Sequence, residues 1–180
     1  MKTILAATDL SARSDRAVLR AAHLARDAKA RLHIVHVVGE DLPAAILQTR
    51  VEEAEQVLAD MVAANPMLAA LTPKMVVEAG HVDRLLQDAV RASGADLVVV
   101  GAHRRRGMAG VLGKPTLARL LRAVEVPVLV AVDRPEHGYR SVSVGWDFSP
   151  AGSAAAAAAM DVAPEARVTL VHAWQDVMTG

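Results

Sequence analysis

The chain has 180 residues, with 20 basic and 20 acidic side chains that leave a formal net charge of zero, and it has no cysteine. Disulfides, thiol chemistry and Cys-based zinc sites are therefore excluded. Balanced charge and a 2% aromatic content argue against nucleic acid as a partner, because that role asks for a basic face and for rings on which bases stack.

Lys2 leads directly into Thr3–Ala7, an apolar run too short for the core of a signal peptide. No apolar stretch reaches membrane-spanning length, so a cytoplasmic protein with no membrane partner is expected. Thr3–Ala7 reads as a buried strand that ends at Asp9. Ala17, Ala21, Leu24, Ala25 and Ala28 come next at helical spacing, with Arg13, Arg16, Arg20 and Arg26 on other faces and Ser11 or Ser14 to cap the helix. Leu32–Val38 is a second strand, stopped by Gly39. Val51, Ala54, Leu58, Met61 and Val62 predict a second helix, ended by Asn65-Pro66. Lys74–Glu78 is a third strand, closed by Gly80. Leu85, Leu86, Ala89 and Val90 give a third helix, stopped by Ser93-Gly94. Leu97–Val100 is a fourth strand, Gly101–Gly113 a loop rich in Gly and Arg. Leu117, Leu120, Leu121 and Val124 predict a fourth helix, and Pro127–Val132 a fifth strand.

Strands alternating with helices at this spacing imply an α/β fold with a parallel sheet, and continuous Val/Leu runs suit strands covered on both faces. With right-handed crossovers the expected architecture is a doubly wound five-stranded parallel sheet. The polar, turn-forming Asp133–Gly138 marks a boundary. It separates a domain over residues 1–134 and a linker over 135–139 from the opening of a partial second copy over 140–180.

The second copy is read from an internal repeat. Thr8-Asp9-Leu10-Ser11 matches Trp146-Asp147-Phe148-Ser149 without a gap. After a two-residue deletion, Ala30–Val37 matches Ala166–Ala173, with His36 over His172. Each copy is an apolar strand, Asp-x-Ser, an Ala-rich stretch, and a second strand ending in His. A three-element piece cannot cover both faces of its own sheet, so it is expected to lean on the first unit or on another chain.

Four features together resemble the universal stress protein family. They are Asp-x-Ser after the first strand (Asp9, Ser11), a strand ending in His36-Val37, the run Ala95–His103, and a Gly-rich loop leading to Pro127–Val130. They span residues 1–132, and the Asp147 region opens a second such domain. The resemblance implies an adenine nucleotide alpha hydrolase-like sheet, with ATP bound in many members and not in others, and ATP binding by this chain, where it occurs, expected to depend on Mg²⁺. It also implies a homodimer, or pairing of two domains in one chain, through the fifth strand.

In an open α/β sheet, ligands lie beyond the carboxyl ends of the strands. Asp9, Val37 and Gly101 fall at such ends, and Asp9 is placed either to accept from a ribose hydroxyl or adenine amine, or to cap the first helix. The pattern of the family's ATP binders is Gly-x-x-Gly, nine residues, then Gly-Ser/Thr. Gly101 matches its first glycine, and Arg104 stands at the second. The third falls on Lys114, with Gly113 one residue early, and Thr116 lies one or two residues past the hydroxyl position. Arg104 and Pro115 obstruct backbone contact with phosphate. Arg104, Arg105, Arg106 and Lys114 supply side chains that hold phosphate instead. His103 sits either toward a ligand or on the loop surface. The site residues expected are thus Asp9, Val37, Gly101, His103, Arg104, Gly113, Lys114 and Thr116. His36 and His172 read as hydrogen-bonded strand residues. No spacing for a metal, no nucleophile elbow and no P-loop occurs, so no catalytic residue is named. The expected role is regulatory nucleotide binding, with at most weak ATP hydrolysis. The alternative is a nucleotide-free dimerisation or scaffold protein, and an enzyme acting on a small molecule rests on fold analogy alone.

Overall fold

A computed structural model describes residues 1–40, 43–102, 115–135 and 137–174. The chain divides into two compact units, Met1–Glu136 and His137–Gly180.

The first unit is a parallel sheet of five strands: β1 (Thr3–Thr8), β2 (Arg31–Val38), β3 (Lys74–Ala79), β4 (Leu97–Gly101) and β5 (Val128–Ala131). Their order is β3-β2-β1-β4-β5, so the expected α/β doubly wound sheet is present. β1 runs through the centre, with Thr8 opposite His36 on one side and Ala7 opposite Val100 on the other. Thr3, Ile4, Leu5 and Ala6 are fully buried, as a strand covered on both faces requires. The one polar side chain there, Thr3, accepts a hydrogen bond from Arg31 at 2.9 Å. The start of β1 is tied to β4 by Asp96, whose carboxylate accepts from the Lys2 and Thr3 backbone N–H groups at 2.5 and 2.9 Å.

The helices are α1 (Ser14–Ala28), α2 (Ala44–Ala64), α3 (Pro66–Leu71), α4 (Val82–Ser93) and α5 (Pro115–Ala123). Small side chains on α1 (Ala17, Ala21, Ala22, Ala25) are fully buried and let its backbone lie close to β1 and β4. On the opposite face, Leu86 and Val90 of α4 and Leu120 of α5 pack in one core with Leu5, Val35, Val98 and Val100. Asn65-Pro66 does not simply end a helix. Asn65 caps α3, its side chain accepting from Met67 and Leu68 N–H at 3.0 and 3.3 Å, and Pro66 takes the first helical turn where no N–H is needed.

The second unit holds β6 (Ser141–Gly145), α6 (Pro150–Val162) and β7 (Arg167–Val171), with β6 and β7 paired in parallel. Leu170 and Val171 are half exposed. The chain's two Trp, one Tyr and one Phe all belong to this unit (Tyr139, Trp146, Phe148, Trp174). Among the described residues no helix is long and apolar enough to cross a membrane.

Candidate functional site

The site is built where β1 turns into α1. Leu10 adopts a left-handed backbone (φ 57°), and the turn is braced by side chains. Thr8 Oγ1 accepts from Leu10 N–H at 3.0 Å, and Asp9 Oδ1 accepts from the Ser11 hydroxyl and N–H at 2.5 and 3.2 Å. Ser14, only 5% exposed, donates to the Ser11 carbonyl at 2.8 Å. Its 2.9 Å contact with Thr8 Oγ1 is then donated by Thr8. The residue that caps α1 is Arg13, which makes no side-chain capping bond. The Asp9 carboxylate braces the turn ahead of α1 through its bonds from Ser11. His36 donates from Nδ1 to the Thr8 carbonyl at 2.9 Å and ties the ends of β1 and β2 together, as a hydrogen-bonded strand histidine should.

The other side of the site is the end of β4. A Cβ at Gly101 would stand 3.2 Å from Ser14 Cα and 3.3 Å from the Arg13 carbonyl oxygen. The absence of a side chain therefore allows the close approach of β4 to α1. Between these elements lies a cavity of about 260 Å³. Ala7, Val35, Val37, Val82, Leu86, Val100 and Leu120 give it apolar walls, and Thr8, Asp9, Ser11, Arg13 and Ser14 a polar rim. It sits at the switch in strand order: the chain winds outward from β1 through β2 and β3, then crosses to β4 and β5. Carboxyl ends at such a switch form the crevice in which α/β sheets hold ligands.

Asp9, Val37 and Gly101 all line this cavity. His103, Arg104, Gly113 and Lys114 lie outside the described residues, and Thr116 falls in the first turn of α5 with its side chain outside them. Thr8, Arg13, Ser14, Leu86 and Leu120 also line the cavity and were not among the site residues expected from the sequence. The serines at 11 and 14 carried a signal in their spacing, whereas Leu86 and Leu120 read as ordinary core stripes. Among the described residues no group of three or more His, Asp or Glu is placed to hold a metal ion.

The turn recurs in the second unit. Phe148 is left-handed (φ 63°), and Asp147 Oδ1 accepts from the Ser149 hydroxyl and N–H at 2.5 and 3.0 Å. Those bonds, the hydroxyl first, hold the Asp147 carboxyl below its ordinary 3.8. His172 Nδ1 donates to the Trp146 carbonyl at 2.7 Å. Here the serine does cap its helix, Ser149 Oγ accepting from Gly152 N–H at 3.1 Å. Phe148 lies edge-on to both Trp146 and His172.

Known proteins share this architecture. The sequence profile of the Universal stress protein family matches residues 1–132. A universal stress protein of Mycolicibacterium smegmatis is 32% identical over 194 residues, covering 97% of this chain and 64% of that protein. The chain thus spans under two thirds of the length of the curated relative it matches. A universal stress protein structure from Archaeoglobus fulgidus superposes with a TM-score of 0.74 at 20% identity, over 97% of this chain and 68% of that one, a likeness of fold. A universal stress protein solved in complex with cAMP superposes with a TM-score of 0.53 at 26% identity, over 72% of this chain and 95% of that one.

Proposed function

The chain belongs to the universal stress protein family, and from that premise we propose that residues 1–134 form a regulatory module of the stress response that binds an adenine nucleotide. The observation that carries the reading is the cavity at the β1–β4 switch, with apolar walls, a carboxylate at its rim and a glycine against the start of α1. Its volume is near the lower bound of ligand pockets, about 300 Å³. The residues fit the group: the base lies among Val35, Val37, Leu86 and Leu120, and Asp9 accepts from a ribose hydroxyl. ATP with Mg²⁺, or cAMP as in the similar structure, are the two forms to test. Mg²⁺ would be carried by the phosphates and water rather than by a protein cage.

A second reading is favoured by the edge of the sheet. β5 is an edge strand whose Val128, Leu129 and Val130 are only half-buried, and Val132 beyond it is 46% exposed. Apolar edges invite pairing. We read this edge as the dimerisation strand, serving a homodimer or a second domain. Residues 140–180, with their repeated Asp-x-Ser turn, are read as the opening of such a domain.

Mass spectrometry of the natively purified protein, then calorimetric titration with ATP-Mg and cAMP, tests the first reading. Near-stoichiometric adenine nucleotide, or saturable heat, supports it. An empty protein that gives no heat with either overturns it and leaves the scaffold role.

A further inference from the structure

We propose that Arg13 is the anion-selecting residue of this cavity, so that the ligand is a phosphorylated nucleoside rather than a free one. The inference rests on the reading of the cavity as an adenine-nucleotide site. Asp9 and Arg13 are the two charged residues among its described lining. Asp9 is engaged by Ser11. The guanidinium of Arg13, by contrast, meets no carboxylate and no hydrogen-bond acceptor among the described residues. Two other arginines near the sheet hold partners: Arg16 donates from Nη1 to the Val132 carbonyl at 3.0 Å, its buried Nε meeting no acceptor among the described residues, and Arg119 pairs with Asp83 at 2.9 Å.

Position adds to this. Arg13 stands on the seam between the β1 turn and the end of β4, its carbonyl oxygen 3.3 Å from the place of a Cβ on Gly101. Against the pattern of the family's ATP binders, Arg104 stands at the second glycine position, and the third falls on Lys114 with Gly113 one residue early. Arg13 lines the cavity, and a planar guanidinium is a donor of the kind phosphate takes, because its fork matches two phosphate oxygens at once. Apolar walls for a flat base, a carboxylate for hydroxyl donors and a cation for an anion together describe a nucleoside phosphate.

The test is titration of the full chain with adenosine, AMP and ATP, for wild type, Arg13→Gln and Arg13→Lys. Wild type is expected to prefer AMP to adenosine. Arg13→Gln should shrink that preference by about 10- to 100-fold, the range of a charge-assisted hydrogen bond. Arg13→Lys should recover part of it, since it keeps the charge and loses the fork. As Arg13 makes no capping bond, the unliganded variants should melt with the wild type. An Arg13→Gln protein that keeps the wild-type ratio of AMP to adenosine affinity, or a wild type that binds the two equally, overturns the inference and leaves the nucleotide site standing. A wild type that binds none of the three overturns both.

Discussion

Gly101 is where a single added carbon does most to the site. The Cβ of alanine would press on backbone of Arg13 and Ser14, which cannot swing aside as a side-chain tip would. Gly101→Ala should therefore cost about 1–2 kcal/mol, read as a lower denaturation midpoint in urea with an unchanged slope. Asp9→Ala removes the brace on the Ser11 hydroxyl and N–H and should cost about 1 kcal/mol. If the nucleotide reading holds, it should abolish the thermal shift given by ligand. Asp96 supplies a pH dependence. The Lys2 and Thr3 N–H groups hold its carboxyl below its ordinary 3.8. Its contribution is thus fully present above about pH 4 and is lost as pH falls through the lower, folded value. Asp96→Asn should flatten the fall of stability below pH 4 in an acid titration monitored by calorimetry. Asp9, Val37 and Gly101 were legible in the sequence because a strand end, an aspartate and a glycine are local signals. Arg13 was not, since its meaning depends on β4, which arrives over eighty residues later.

At the scale of elements, α4 and α5 form the wall of the cavity on the face away from α1. Leu120 is 2% exposed and packs in the core with Leu5, Val35 and Leu86. Leu120→Ala should destabilise by about 2–4 kcal/mol and widen the cavity, measurable by denaturation and by hydrogen exchange of α5. The strand–helix alternation was legible throughout because apolar period and breakers agree. Two helix starts were not. α2 starts at Ala44, where Ala44–Leu47 is an unbroken apolar run without helical spacing. Asn65-Pro66 ends α2 as read, but the same pair also caps and opens α3, a start that was not read from it. A breaker marks where one element is interrupted, but the type of the next element depends on residues further along the chain.

For the whole molecule, topology was readable from connectivity: parallel strands joined by helices leave few right-handed arrangements. Every strand pairing of the first sheet lies within Met1–Glu136. Residues 1–136 expressed alone are accordingly expected to unfold in one cooperative calorimetric transition. The exposed Leu170 and Val171 of β7, by contrast, belong to a unit with three elements among the described residues, where the first unit has ten. The confinement of every Trp, Tyr and Phe to residues 139–174 has an optical consequence. The candidate nucleotide unit is dark: it holds no tryptophan or tyrosine to emit, and its near-ultraviolet circular dichroism should be silent. A fluorescence melt will trace the smaller unit alone, and would register unfolding there while the binding cavity is intact. The same darkness is useful, because any adenine absorbance or induced dichroism in residues 1–136 would belong wholly to the ligand.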